Sequence, residues 1–137
     1  MDLYSRRIIA WKLADHMRAE LLIEVRRCAF RERGCHPGMI SHSDQGCQYA
    51  SQDHRELVAS FGVRQSMSRR GNYYDNAFME SCFGSLKTEM LEDGVFESLE
   101  DAQAEIFDYI EYYYNHKRLY SSLNYQTPAG YELNSAQ

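Results

Sequence analysis

The chain has no apolar run long enough to span a membrane. Its first residues, Met1-Asp2-Leu3-Tyr4-Ser5-Arg6-Arg7, lack the apolar region of a signal peptide. No two of its four cysteines, Cys28, Cys35, Cys47 and Cys82, form a C-x-x-C pair. Reduced thiols in a cytoplasm are therefore expected, with no membrane partner. Internal repeats and low-complexity linkers are missing too. Positive charge is in deficit, with 15 Lys and Arg against 20 Asp and Glu and a net charge of -5. That balance argues against non-specific nucleic-acid binding by the whole surface and leaves the task to local basic clusters. What is present is a chain of 137 residues, 44% hydrophobic and 13% aromatic, with eleven tyrosines. One globular domain with a modest core fits those figures.

Along the chain, Ile8 to Ala14 is a β-favouring run behind a polar Ser5-Arg6-Arg7 turn, and Asp2-Leu3-Tyr4 resembles the stump of a hairpin partner. Asp15 is placed to cap a helix with Met17, Leu21, Val25 and Cys28 as its stripe, stopping near Gly34. Cys35 to Gly38 reads as a loop, and Met39 to Ser43 as a short buried strand. Ser51 caps a short helix with Leu57, Val58 and Phe61 inward, ended by Gly62. Val63 to Met67 alternates like an edge strand, and Ser68 to Asn72 is a basic loop. A helix from about Asn76 to Met90 carries the stripe Met79, Cys82, Phe83, Leu86 and Met90. Ser98-Leu99-Glu100-Asp101 resembles a capping box and opens a helix with Leu99, Ala102, Ile106, Ile110 and Tyr113 inward. The tail from Asn115 reads as loop, with Thr127-Pro128 starting one last helical turn. Strands and helices alternate first and helices dominate later, which predicts an α/β layered domain.

Two carboxylates are the candidates for chemistry. Asp44 follows the buried strand, at the end where open α/β sheets bind ligands, and Gly46 lets a partner approach the backbone. Glu80 shares a helix face with Asn76, Gly84 and Lys87, opposite the apolar stripe. Hard carboxylate oxygens beside a basic loop suit Mg²⁺ or Mn²⁺ acting on a phosphodiester. Ordinary solvated charge is the competing reading for these residues and for Arg69-Arg70 and Lys117-Arg118. Tyr109, Tyr112, Tyr113 and Tyr114 read as helix packing and surface before a base-stacking platform. Cys28, Cys35, His36, His42 and Cys47 are too irregularly spaced for a zinc site.

The blocks around these residues resemble a known family. His42-Ser43-Asp44-Gln45-Gly46-Cys47-Gln48-Tyr49 is similar to the H-S-D-x-G-x-Q-Y segment of insertion-sequence transposases with a retroviral-integrase-like core. The run from Ser66 to Ala77 resembles their S-M-S-R-x-G-x-x-x-D-N-A block, and Glu80 to Lys87 their E-S-F-F-x-x-L-K. Thirty-five residues separate Asp44 from Glu80, the spacing of the D-D-35-E group. Tyr114-Asn115-His116-Lys117-Arg118, Ser121-Ser122-Leu123 and Thr127-Pro128 resemble the C-terminal segment, with Tyr120 and Asn124 where His and Gly are common.

The resemblance implies a ribonuclease H-like integrase core, here lacking the first strand and most of the second, with a helical C-terminal part. Residues 1–92 would be the remnant of the α/β layer and 93–137 the C-terminal helix and tail. It implies metal-dependent nicking and strand transfer on transposon-end and target DNA. Asp44 and Glu80 would be the second and third carboxylates holding two Mg²⁺ or Mn²⁺ ions. Arg69, Arg70, Asn76, Lys87, Lys117 and Arg118 would contact DNA, and His42, Gly46 and Gly84 would support the site. The first catalytic Asp of the family precedes the turn at which this chain begins, so the chain alone is expected to be inactive. Binding of the metal by this chain alone is correspondingly in doubt. Partners would be DNA and a full-length transposase or an N-terminal fragment, in a bacterial cytoplasm and on the nucleoid. The alternatives are a non-catalytic regulator that binds DNA or transposase, and a structural remnant.

Overall fold

The structure is a computed structural model, and it describes every residue except 17, 70–72, 91–95 and 136–137 and the side chains of Tyr73 and Tyr74. Met17, Arg70 and the division at 92 and 93 therefore fall outside the described residues. By packing, the chain forms two compact units, Ala10–Ser81, and Met1–Ile9 with Cys82–Gln137.

The first unit is built on a β-α-β arrangement. Helix α1 (Ala19–Arg33) ends at Gly34, whose φ of 63° is the left-handed cap that glycine adopts without strain. Its start corrects the expected cap. Arg18, not Asp15, stands at the N-cap and offers no side-chain bond. Strand β1 (Ile40–Ser43) and strand β2 (Arg64–Met67) pair in parallel, with Ile40 opposite Arg64 and Ser43 opposite Met67. Helix α2 (Gln52–Ser60) connects them, capped by Ser51, whose Oγ accepts the His54 N–H at 3.3 Å. The core gathers Phe30, Val58 and Val63 with Cys35, Met39 and Phe61 against them. In α1 it is Phe30 that is buried, while Cys28, expected on the inner stripe, is exposed. The Arg26 guanidinium bonds Ser41 Oγ and donates to the His42 carbonyl at 3.1 Å, closing the β1 edge turned away from β2.

The expected strand at Ile8 to Ala14 does not form. A strand needs a ladder partner, and Ile8 finds a side chain instead. Asn115 Oδ1 accepts the Ile8 N–H at 3.0 Å and Asn115 Nδ2 donates to the Ile8 carbonyl at 3.1 Å. The turn before it is real, because Asp2 N–H donates to the Arg7 carbonyl at 2.8 Å.

Helix α3 (Ala77–Met90) follows a 3₁₀ turn at Tyr73–Asn76, and the unit boundary falls within it. Cys82 is buried as the stripe predicts, but Phe83 is 54% exposed. In the second unit, helix α4 (Leu99–Phe107) opens as the capping box requires, Ser98 Oγ accepting the Asp101 N–H at 3.0 Å. It runs on as a π-helical segment, Asp108–Tyr114, closed by the Asn115 N–H on the Ile110 carbonyl. The wider turn alters the register, so Tyr114 and not Tyr113 is the buried tyrosine. The tail holds more structure than the loop expected of it. A 3₁₀ turn spans Ser121–Leu123, Tyr120 bridges Gln126, and helix α5 (Pro128–Ser135) has eight residues. Asn124 sits at φ 54°, a left-handed position in which Asn is among the better tolerated residues after Gly. No described helix is long and apolar enough to cross a membrane.

Candidate catalytic site

The site is set by the parallel pairing. Because β1 and β2 run the same way, their C-terminal ends deliver Asp44 and Ser68-Arg69 to one edge, and the Ser68 N–H donates to the Ser43 carbonyl at 2.8 Å. Asp44 is exposed just beyond β1, and its Oδ1 accepts the Gly46 N–H at 2.9 Å. A Cβ at Gly46 would lie 3.0 Å from Asp44 Oδ1 and 3.2 Å from Gln48 Oε1. Glycine here leaves room for the aspartate turn to close on its own backbone.

His42 ties the two strands together beneath that turn. Its Nδ1 lies 2.9 Å from Ser66 Oγ and its Nε2 3.2 Å from Ser68 Oγ. Ser68 has one hydroxyl proton, directed at the Ser43 carbonyl 3.3 Å away. Ser68 therefore accepts from His42 Nε2–H, and Ser66 donates to Nδ1. The ring spans the strands rather than pointing at Asp44.

Asp75 is the residue the sequence reading missed. Its Oδ2 accepts the Arg69 backbone N–H at 3.1 Å and Arg69 Nε–H at 3.3 Å. The Arg69 N–H first, and its guanidinium second, hold the carboxyl below the usual Asp range. The signal was available as an acidic residue six positions from Arg69, in the block that also supplied Asn76. Arg69 thus carries an acidic partner while its side chain remains 80% exposed.

Glu80 lies exposed in the first turn of α3, without an ion-pair partner among the described residues. Asn76 is half-buried at the end of the 3₁₀ turn. Asp44, Arg69, Asp75, Asn76 and Glu80 all belong to the first unit, whereas Gly84, Lys87, Lys117 and Arg118 belong to the second. Lys87 and Lys117 are exposed, and a Cβ at Gly84 would meet open space. Arg118 is engaged inside its own unit. Its Nε donates to Glu89 at 2.9 Å and its Nη2 to Ser85 Oγ at 3.2 Å, while the guanidinium lies 4.4 Å from the Tyr120 ring centroid. Burial works to raise Glu89, but bonds from Arg118 and from Tyr109 outweigh it and lower its pKa.

As donors, Asp44 and Glu80 fit a hard divalent cation in kind. No group of three or more His, Cys, Asp or Glu side chains that could hold a metal is gathered among the described residues.

The chain is similar to known proteins over most of its length. Models of the integrase core domain match residues 1–73 and 80–135. The transposase for insertion sequence element IS904 of Lactococcus lactis is 42% identical over 132 residues, covering 96% of this chain and 52% of that protein. A transposase-like protein of Haemophilus influenzae is 39% identical, covering 98% and 61%. Transposase InsF for IS3A of Escherichia coli is 37% identical, covering 96% and 46%. The chain spans about half the length of the curated relatives it matches. Among solved structures, a simian T-cell lymphotropic virus intasome matches with a TM-score of 0.65 and 17% identity, covering 85% of this chain and 40% of that one. The chain belongs to the integrase core domain family. Within that family it falls with the insertion-sequence transposases.

Proposed function

We propose that this chain supplies Asp44 and Glu80 to the metal-dependent nicking and strand transfer of an insertion-sequence transposase, acting on transposon-end and target DNA within a ribonuclease H-like core. The observation that carries the reading is Asp44 beyond β1, held by Gly46, at the edge where parallel β2 delivers Arg69. Asp44 and Glu80 would be the ligands of a divalent ion. When bound, such ions stabilise charge on the attacking and leaving oxygens of a phosphodiester.

The chain's own residues have separable tasks. Gly46 and the His42 crossbar keep the Asp44 carboxylate presented. Arg69 meets a phosphate with the face that Asp75 leaves open, and Lys87 and Lys117 contribute further charge toward the backbone. Two carboxylates do not complete the donor set, so the chain alone is inactive and works with a full-length transposase or a segment that supplies another carboxylate.

The test joins the part of the 42%-identical Lactococcus relative that this chain does not span to this chain and follows Mn²⁺-dependent nicking of that relative's end DNA. Asp44→Asn and Glu80→Gln each lower the rate by more than roughly 100-fold, at least the loss caused by removing a group that merely orients a metal ligand. Unchanged rates in both variants would remove these residues from the chemistry.

A further inference from the structure

The second unit carries a surface that the DNA reading does not use. Residues 88–116 contain nine Asp and Glu and no Lys or Arg, in a chain whose net charge is only -5. Helix α4 and the π-helical segment lie wholly inside this stretch. Their apolar side chains are not all turned inward. Leu99 is 45% exposed, Phe107 47%, Tyr113 44% and Tyr112 62%.

Two local features organise these residues into a face. Ala104, Phe107, Asp108 and Tyr112 follow one another at steps of three, one and four residues, so they share one side of the helix, and Ala104 leaves that side low. Phe107 and Tyr112 stand edge to face with centroids 6.2 Å apart, a preformed aromatic pair. The π turn sends Tyr114 into the core and leaves both Tyr112 and Tyr113 outside. Glu100, Glu105 and Asp108 are exposed along the same helical stretch, and none of them pairs with a cation among the described residues.

Such a face repels a phosphate backbone, so exposed aromatics here do not serve as a stacking platform for DNA. It suits a partner of opposite charge with apolar side chains of its own. Arginine guanidinium groups would meet the carboxylates and lie over the rings, and aliphatic side chains would cover Phe107 and Leu99. We infer that the acidic, aromatic face of α4 and the π-helical segment docks a basic amphipathic protein segment. The inference rests on charge and exposure alone and stands whether or not Asp44 and Glu80 hold a metal.

The experiment titrates the full chain into a fluorescently labelled Arg/Leu amphipathic helical peptide of about 18 residues, roughly 27 Å long when helical. Three control probes are an Arg/Ser peptide of equal charge, a Glu/Leu peptide and a single-stranded oligonucleotide. The Arg/Leu peptide binds tightest, and its affinity falls with salt. Phe107→Ser with Tyr112→Ser, and separately Glu105→Lys with Asp108→Lys, each weaken it at least about tenfold, while circular dichroism of both variants stays unchanged. Equal binding of the Arg/Ser peptide would overturn the inference, since charge alone would then suffice. So would tighter binding of the oligonucleotide that is lost in the Phe107→Ser, Tyr112→Ser variant. Self-association of the chain through this face, abolished by the same variant, would also overturn it.

Discussion

Arg118 and His54 illustrate what single side chains do here. Arg118 fits a DNA contact by sequence position, yet its guanidinium is occupied by Glu89, Ser85 and the Tyr120 ring. Its neighbours are buried as well, Tyr114 at 1% exposure and Asn115 at 1%. The Tyr114-to-Arg118 block therefore reads as a fold-keeping element, with only Lys117 turned to solvent among its cations. Arg118→Ala costs about 2 kcal/mol, as expected for charge-assisted bonds from a guanidinium that is itself only 19% exposed. The urea midpoint should fall by roughly 1 M. An unchanged midpoint, with a DNA-binding salt slope reduced by about one, would make Arg118 a phosphate contact instead. His54 is 1% exposed, and neither ring nitrogen has a hydrogen-bond partner among the described residues. Burial first, and the Arg26 charge second, push its pKa below the ordinary value of 6.5. The unfolded chain thus takes up this proton before the folded one does. Stability from a neutral His54 is complete above about pH 6.5 and is lost as pH falls toward the lowered folded value. His54→Phe keeps an edge-on ring against Tyr49 and should flatten the stability profile between about pH 7 and 5. Equal acid losses in both proteins would place the sensitive group elsewhere.

At the scale of elements, α3 carries the helix side of the candidate site. Gly84 lies inside it, exposed, with nothing near an added methyl group. Gly84→Ala should therefore raise stability by about 0.5–1 kcal/mol, read by thermal or urea unfolding. A loss of stability would show that the glycine is held by packing. Elements with local signals were legible in the sequence. Ser51 and Ser98 capped the helices they head, and Gly34 and Gly62 ended theirs with φ of 63° and 68°. Strand β1 was legible from Met39 to Ser43 within one residue. The Ile8 run was not, because strand propensity does not reveal whether a partner strand is at hand. The inward tyrosine was missed because periodicity assumes 3.6 residues per turn, and Asp108–Tyr114 does not keep that period. Asp75 escaped notice because its partner Arg69 closes a loop, which no repeating spacing announces.

On the scale of the molecule, charge is divided unevenly along the chain. The nine carboxylates between Lys87 and Lys117 form an acidic stretch, while Arg64, Arg69, Lys87 and Lys117 lie outside it. On the proposed readings, DNA contact and protein contact fall to different stretches of the chain, a division that a net charge of -5 alone conceals. The family was legible from ordered blocks over nearly the whole chain, and the integrase core models match those same regions. Catalytic competence is a property of the assembled donor set, which on the proposed reading needs a further carboxylate beside Asp44 and Glu80. The direct measurement is Mn²⁺-dependent nicking of transposon-end DNA by the purified chain, beside the fusion carrying the part of the Lactococcus relative that this chain does not span. The account predicts no nicking above background by the chain alone, and nicking by the fusion that Asp44→Asn abolishes. Nicking by the chain alone that disappears on Asp44→Asn would contradict it.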